Sequence, residues 1–131
     1  MGNVILKQPS TRPVGELYFF ADCEESLELG DPVYVSSVDY VEKPTNHKNS
    51  KPVVGIAVQK INSTRVKVQT FGNCDIDIDG LSVSTQVFLG TDGSVSNTIT
   101  TDGYTHTLGH CYYTDKLFIN ISPIRVKRNP F

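Results

Sequence analysis

An acidic run near the middle of the sequence is the motif closest to a metal site. Asp75, Asp77 and Asp79 alternate with isoleucines. Oxygen ligands at alternate positions, followed by a glycine such as Gly80, match the opening of a calcium-binding loop. Position twelve of that loop is Gln86, which lacks the carboxylate that would bind calcium through both oxygens. The alternation also fits a β-strand, so we predict a strand here and no metal site.

The three histidines do not converge on a motif. His47 falls in a polar stretch and is predicted to face solvent, whereas His106 lies near a turn. His110 shares strand periodicity with Leu108 and Tyr112, which predicts a core or interface histidine.

Enzyme motifs are absent from the sequence. Nucleophilic catalysis needs a hydroxyl or thiol beside a base, and no G-x-S-x-G pattern occurs. Glycoside hydrolysis needs one carboxyl group in an apolar setting, but Glu24, Glu25 and Glu28 fall in a polar stretch. No glycine-rich phosphate loop is present. We therefore expect a non-enzymatic protein with no catalytic residues and no cofactor.

The cysteines carry no signature of a metal site or a disulfide framework. Cys23, Cys74 and Cys111 are odd in number and widely spaced, without a CxxC or Cys/His cluster. Cysteine is among the most buried residue types. We therefore predict buried free thiols.

The chain length and the net charge narrow the possible classes of protein further. A chain of 131 residues predicts one domain. A net charge of −2 gives no electrostatic reason to expect a nucleic-acid partner. No run approaches the roughly 20 apolar residues that span a bilayer, and the first residues lack the pattern of a secretory signal. We expect a soluble compartment and no membrane partner.

Charge is segregated along the chain. Positions 1–42 hold eight acidic residues, positions 43–71 hold six basic and no acidic residues, and positions 72–115 hold six acidic and no Lys or Arg residues. Such blocks usually pair across strands and less often mark partner surfaces. We expect cross-strand ion pairs.

Short runs of alternating apolar and polar residues recur between Gly, Pro, Asp and Asn, and no helical periodicity is sustained. The pattern predicts an all-β fold, a small antiparallel β-barrel or β-sandwich over residues 15–123. Extended arms are predicted at residues 1–14 and 124–131. The predicted strands are residues 16–22, 32–37, 53–59, 65–70, 74–79, 85–89, 106–113, 116–122 and 124–128.

Side-chain chemistry suggests the register of two hairpins. A turn at residues 71–73 would set Val68 opposite Ile76 and Lys67 opposite Asp77, with Val66 and Arg65 opposite Ile78 and Asp79. A two-residue turn at residues 114–115 would pair Tyr112 with Leu117, His110 with Ile119 and Leu108 with Ile121.

Binding is predicted first at the two arms and second at the loops of residues 40–51 and 94–104. Arms of this kind either fray or complete a neighbour's sheet. The predicted protein-binding residues are Ile5, Leu6, Lys7, Arg12, Arg125, Lys127, Arg128 and Phe131.

An ordered set of motifs covers residues 30–122. It comprises GDPVYV from Gly30, VVGIAV from Val53, RVKVQTFG from Arg65, LSVSTQVFLG from Leu81 with a following DG, LGH from Leu108 and LFINI from Leu117. The set resembles small β-domains of tailed-bacteriophage virions, including capsid decoration (cement) proteins. Neither arm belongs to the shared pattern.

The resemblance implies a role in the virion after synthesis in the cytoplasm of a bacterial host. The partners would be the major capsid protein or other virion proteins, and many copies or a homo-oligomer would bind the lattice and stabilise it. The alternative is a tail, spike or head-fibre module that presents its loops to a host-surface glycan or protein. The scarcity of exposed aromatic residues disfavours sugar stacking, whereas the apolar arms favour assembly.

Overall fold

The computed structural model describes residues 17–48, 51–100 and 102–122, and the backbone of residues 125–126. These residues form strands and, within those ranges, no helix, which confirms the all-β class. It follows that no described helix is long and apolar enough to cross a membrane. The strands are β1 (Leu17–Asp22), β2 (Pro32–Ser37), β3 (Tyr40–Glu42), β4 (Gly55–Asn62), β5 (Arg65–Asn73), β6 (Thr85–Leu89), β7 (Val95–Ser96), β8 (Tyr104–Thr105), β9 (Thr107–Tyr113), β10 (Lys116–Asn120) and β11 (Arg125–Val126).

Five strands close into a barrel. Antiparallel pairs join β1 to β5, β5 to β4, β4 to β2 and β2 to β3. A parallel pairing of β3 with β1 closes the ring at Asp22 and Tyr40, where the Asp22 N–H donates to the Asp39 carbonyl at 2.8 Å. The domain is therefore built on a barrel, one of the two predicted architectures.

The last residues of β5 leave the barrel and join it to a second layer. They pair with β10, and the sheet continues through β9 and β6 to the edge strand β7. Gly72 lies at this exit with a φ of +96°. Glycine adopts that backbone conformation at little steric cost. The strand can therefore turn from one layer into the next without ending.

Two apolar clusters fill the domain. Because alternate residues of a strand face opposite sides, β4 contributes Ala57 to the barrel interior and Ile56 and Val58 to the second layer. The barrel interior also holds Ala21, Val33, Val41, Val66 and Val68. The second cluster also holds Leu81, Val87, Leu89, Leu108, Leu117 and Ile119.

The first predicted hairpin is wrong. Residues 74–79 form bends and turns rather than a strand, and β5 pairs with β1, β4 and β10 instead. The charged side chains that suggested the register find other partners. Arg65 bonds Asp22 and Asp39, both at 3.0 Å, and the Lys67 ammonium lies 4.1 Å from the centre of the Tyr18 ring.

The second hairpin has the predicted turn but a different register. Tyr113 pairs with Lys116 across residues 114–115, but a β-bulge then sets Leu117 opposite Cys111 and Phe118 opposite His110. A second bulge, in the pairing of β9 with β6, sets Val87 opposite Gly109 and Phe88 opposite Thr107, and the φ of Gly109 is +153°. A bulge shifts the alternation by one residue. His110 is consequently exposed, so the predicted place in the core is wrong, whereas the alternative place at an interface stays a prediction.

Three short strands lie where no strand was predicted. β3 occupies the start of the predicted exposed loop of residues 40–51, and its central Val41 is completely buried. β7 and β8 consist of two residues each. Runs this short carry no measurable alternation, so the sequence gives no periodic signal for them.

The cysteine and charge predictions are largely confirmed. Cys23 and Cys111 are buried, Cys74 is half-buried, and all three are free thiols. Burial raises the pKa of the Cys23 thiol, an effect that the Lys60 ammonium partly opposes. Ion pairs join the acidic and basic blocks, as between Lys43 and Asp31 at 3.6 Å and between Arg65 and Asp22.

Candidate binding surface

The residues predicted to bind a protein partner lie almost entirely outside the described part of the chain. The exception is Arg125, whose backbone belongs to β11. β11 forms a two-stranded sheet with β8, in which Arg125 pairs with Thr105 and Val126 with Tyr104. The assignment of the eight predicted residues to protein binding therefore remains a prediction. The predicted residues outside the described ranges are Ile5, Leu6, Lys7, Arg12, Lys127, Arg128 and Phe131.

The two loops predicted as secondary binding elements lie against each other beside β8. His47 Nε2 and Asp102 Oδ2 are 2.6 Å apart and join the loops directly. His47 is only 6% exposed, so the prediction that it faces solvent is wrong. Because a carboxylate can only accept, this geometry places a hydrogen on Nε2. We call residues 43–48, 90–100 and 102–104 the loop cluster.

The Asp102 carboxylate contacts three polar or charged groups of the loop cluster. Partial burial disfavours the charged form of Asp102 and by itself would raise its pKa. This effect is outweighed by interactions with the Tyr104 amide, the His47 ring and the Lys48 ammonium, which lower the pKa of Asp102 to about 2. The Tyr104 N–H donates to Oδ1 at 3.2 Å, and Lys48 Nζ lies 3.5 Å from Oδ2. Asp102 therefore stays ionised at every pH at which the protein would normally be studied.

Tyr104 packs over the same contact. Its ring meets His47 edge-on, with the ring centres 6.3 Å apart, and Lys48 Nζ lies 5.4 Å from the Tyr104 ring centre. A cation over an aromatic face is attracted by about 0.5–1 kcal/mol at exposed sites. Since Tyr104 also belongs to β8, this packing connects the loop cluster to the strand that pairs with β11.

Close backbone contact holds the two loops together at Gly93. A Cβ atom at this position would lie 2.7 Å from the Pro44 carbonyl carbon and closer still to its oxygen. The φ of Gly93 is +82°, which side-chain-bearing residues rarely adopt. Glycine is thus required here both for the turn and for the approach of residue 44.

His106 supports the base of the loop cluster from within the core. It is 1% exposed, and its Nε2 accepts a hydrogen bond from the Val53 N–H at 2.9 Å. Burial lowers the pKa of His106, and a contact with the Ser122 backbone offsets only part of that effect. The neutral ring therefore joins the segment before β4 to the start of β9.

A cavity of about 260 Å³ opens on the loop cluster beside Asp102. Hydroxyl side chains dominate its wall, and Ile99, which is 55% exposed, adds an apolar edge. The remaining lining residues are Gly90, Thr91, Ser96, Thr98 and Thr100. The sequence signals for this site were the turn motifs at residues 91–93 and 101–103 (Thr-Asp-Gly in both), but nothing in the sequence pairs Asp102 with His47.

A second group of rings lies on the face formed by β5, β10 and β9. The Phe71 and Phe118 rings meet edge-on with centres 5.4 Å apart, and His110 lies 5.3 Å from Phe118 at an angle of 31°. A cavity of about 170 Å³ adjoins them and is lined in part by Gln86, His110 and Asn120. The exposed His110 thus faces a polar groove on the sheet.

The acidic run of residues 75–79 does not converge on one point. Asp77 pairs with Lys116 at 2.5 Å, and Asp75 accepts a hydrogen bond from the Tyr18 hydroxyl at 3.1 Å. Asp115 instead receives the N–H groups of Gly80 and Leu81. Across the described ranges, no group of three or more His, Cys, Asp or Glu side chains is arranged to hold a metal ion.

Fold and surface together define a small all-β domain that carries a closed five-stranded barrel and a cluster of loops at one side. Comparison with known protein families finds no family model that matches the chain, and comparison with curated proteins finds no match either. The motif resemblance to phage virion proteins therefore remains a prediction from the sequence.

Proposed function

We propose that this chain is a non-enzymatic structural protein of a tailed-bacteriophage virion. Its role would be that of a capsid decoration protein that binds the major capsid protein lattice and stabilises it. The proposal rests on the ordered motifs of residues 30–122 and on a fold consistent with the small β-domains they resemble.

The observation that carries the proposal is the position of β11. Residues 125–126 pair with β8, and β8 begins at Tyr104 of the loop cluster. Residues 125–126, the described part of the predicted C-terminal arm, therefore lie beside the predicted binding loops. Because residues 125–126 pair within the chain rather than with a neighbour, a partner would contact the surface that this strand borders.

The histidine–carboxylate contact supports a binding role rather than a catalytic one. His47 is buried, and its Nε2 is engaged with a carboxylate that also accepts from Tyr104 and Lys48. In this arrangement the pair joins two loops and fixes the shape of the surface. A rigid surface loses less conformational entropy on binding than a flexible surface does.

Weak individual contacts would suffice for such a protein. Multivalent engagement raises apparent affinity by about 10²–10⁴ without any new contact. A decoration protein that occupies many equivalent lattice positions needs only a modest interface at each one.

Truncation of the arms tests the proposal. Deleting residues 1–11 or residues 129–131 should reduce the number of copies incorporated into particles, while the thermal midpoint of the isolated domain changes little. A matched control is Ile61→Ser, an exposed position on β4 within the barrel, which should leave incorporation unchanged. Full incorporation of both truncated chains would contradict the proposal.

The alternative function is a tail, spike or head-fibre module that attaches to the host surface. The hydroxyl-lined cavity of the loop cluster favours this alternative, because such a wall could bind a host-surface ligand. Incubation of the purified chain with host cells separates the two functions: an attachment module should bind cells directly, and a decoration protein should bind only capsids.

A further inference from the structure

We propose that the cavity beside Asp102 is a binding site for a single neutral sugar ring. The site lies in the loop cluster and has a volume of about 260 Å³. That volume is just below the roughly 300–1,000 Å³ of typical small-molecule sites, which favours one ring over an extended chain. The inference goes beyond the proposed role in the capsid, since lattice binding does not require it.

The wall offers both donors and acceptors. Ser96 Oγ accepts from the Thr98 N–H at 3.0 Å, which leaves its hydrogen free to donate. Thr100 Oγ1 donates to the Tyr104 carbonyl at 2.5 Å, which leaves its lone pairs free to accept. A sugar hydroxyl is itself one donor and two acceptors. The cavity therefore matches a ligand whose groups do both.

Asp102 supplies the strongest acceptor. An ionised carboxylate offers about four acceptor positions, and three are used by the Tyr104 N–H, His47 and Lys48. One position on Oδ1 therefore remains for a ligand hydroxyl. Hydrogen bonds to a charged acceptor are roughly twice as strong as neutral ones, so this contact would orient the ring.

Charge selects a neutral ligand. Asp102 lines the cavity, and Lys48 Nζ lies 3.5 Å from its Oδ2, so the pair carries little net charge to attract either an anion or a cation. Ile99 adds exposed apolar surface on the same wall. A sugar ring carries a C–H face as well as hydroxyls, so it can use both kinds of surface.

The wall is fixed before a ligand arrives. The Gly90 N–H donates to the Ser94 carbonyl at 2.7 Å, and the Ser94 N–H donates to Asp92 Oδ1 at 3.0 Å. A Cβ at Gly90 would lie 3.0 Å from Ser96 Cβ, so the two segments are already in close contact. Prior ordering of the loop lowers the entropic cost of binding.

An NMR titration tests the site with galactose, glucose, mannose and N-acetylglucosamine as the probes. At least one sugar should shift the backbone amides of residues 90–100 in a saturable way. A dissociation constant in the millimolar range is expected, which corresponds to about −4 kcal/mol. N-acetylneuraminic acid serves as the anionic probe and should bind less tightly than the best neutral sugar.

Two threonine variants make the test specific. Thr98→Val removes an exposed hydroxyl from the cavity and should weaken binding about tenfold, as expected for one lost hydrogen bond. Thr45→Val removes an exposed hydroxyl from the same loop cluster outside the cavity and should leave the affinity unchanged.

Three results would overturn the inference. These are no saturable shift with any neutral sugar, tighter binding of N-acetylneuraminic acid, and equal affinity of the wild type and Thr98→Val. Particle incorporation is measured independently of sugar binding. Failure of the sugar site thus leaves the capsid proposal standing, and a failed capsid proposal leaves the sugar site standing.

Discussion

Replacing Gly93 with alanine should drive apart the two loops of the candidate binding surface. The added Cβ would lie 2.7 Å from the Pro44 carbonyl carbon, whereas ordinary contact begins at 3.4 Å. Because the Pro44 carbonyl oxygen would lie closer still, the two segments must separate by well over about 0.7 Å. The neighbouring contact between His47 and Asp102, at 2.6 Å, depends on the same approach of the loops.

The magnitude follows from a comparison with Gly80→Ala. Gly80 has a φ of +89°, close to the +82° of Gly93, but a Cβ at Gly80 would have no neighbour within 4 Å. Both variants should lose about 1–2 kcal/mol to the left-handed backbone. Only Gly93→Ala should also incur the roughly 1–3 kcal/mol of overpacking.

Thermal unfolding followed by circular dichroism measures the difference. For a domain of this size, we expect the midpoint of Gly93→Ala to lie about 3–15 °C below that of Gly80→Ala. Amide NMR spectra should show the accompanying changes at Asp102 and Tyr104. Equal midpoints for the two variants would refute the packing of residue 44 against residue 93.

Three further predictions concern the core and the charged groups. Because burial lowers the pKa of His106 below its ordinary 6.5, the unfolded chain takes up a proton first, so stability should fall as pH drops below about 6.5, by at most about 1.4 kcal/mol per pH unit. Urea titrations between about pH 5 and 7 should show a smaller slope for His106→Gln, and an equal slope would contradict the assignment. Ile119→Ala, in the second apolar cluster, should cost about 2–5 kcal/mol in urea unfolding, whereas a loss near zero would show that this cluster is not packed. EDTA or added calcium should leave the thermal midpoint unchanged, since Asp77 and Asp75 already contact Lys116 and Tyr18, and a shift of several degrees would reveal a metal site.

Local alternation of apolar and polar residues was enough to predict some of the strands. β2 and β6 match the predicted residues 32–37 and 85–89, because each is a short run bounded by turn residues. The pairing of β5 could not be predicted in the same way. Its residues Arg65 and Lys67 contact Asp22 and Tyr18 of β1 and Asp39 of the turn between β2 and β3, so the aspartates nearer in sequence were the wrong partners.

The register of β9 and the candidate binding site could not be predicted from the sequence, for related reasons. The bulge beside Gly109, in the pairing of β9 with β6, shifts β9 by one residue, and the sequence shows a glycine there but not the sign of its φ. His47 and Asp102 are 55 positions apart, and the sequence around each of them indicates only a polar loop residue. They meet only in the fold, where residue 44 also approaches residue 93 closely.

The copy number of this chain in purified phage particles tests the central claim most directly. Quantitative mass spectrometry against the major capsid protein gives that number. Capsid decoration predicts a fixed stoichiometric ratio to the lattice, so that the chain is among the abundant proteins of the particle. A few copies per particle, or none, would contradict decoration, and a few copies would direct attention to a tail, spike or vertex position.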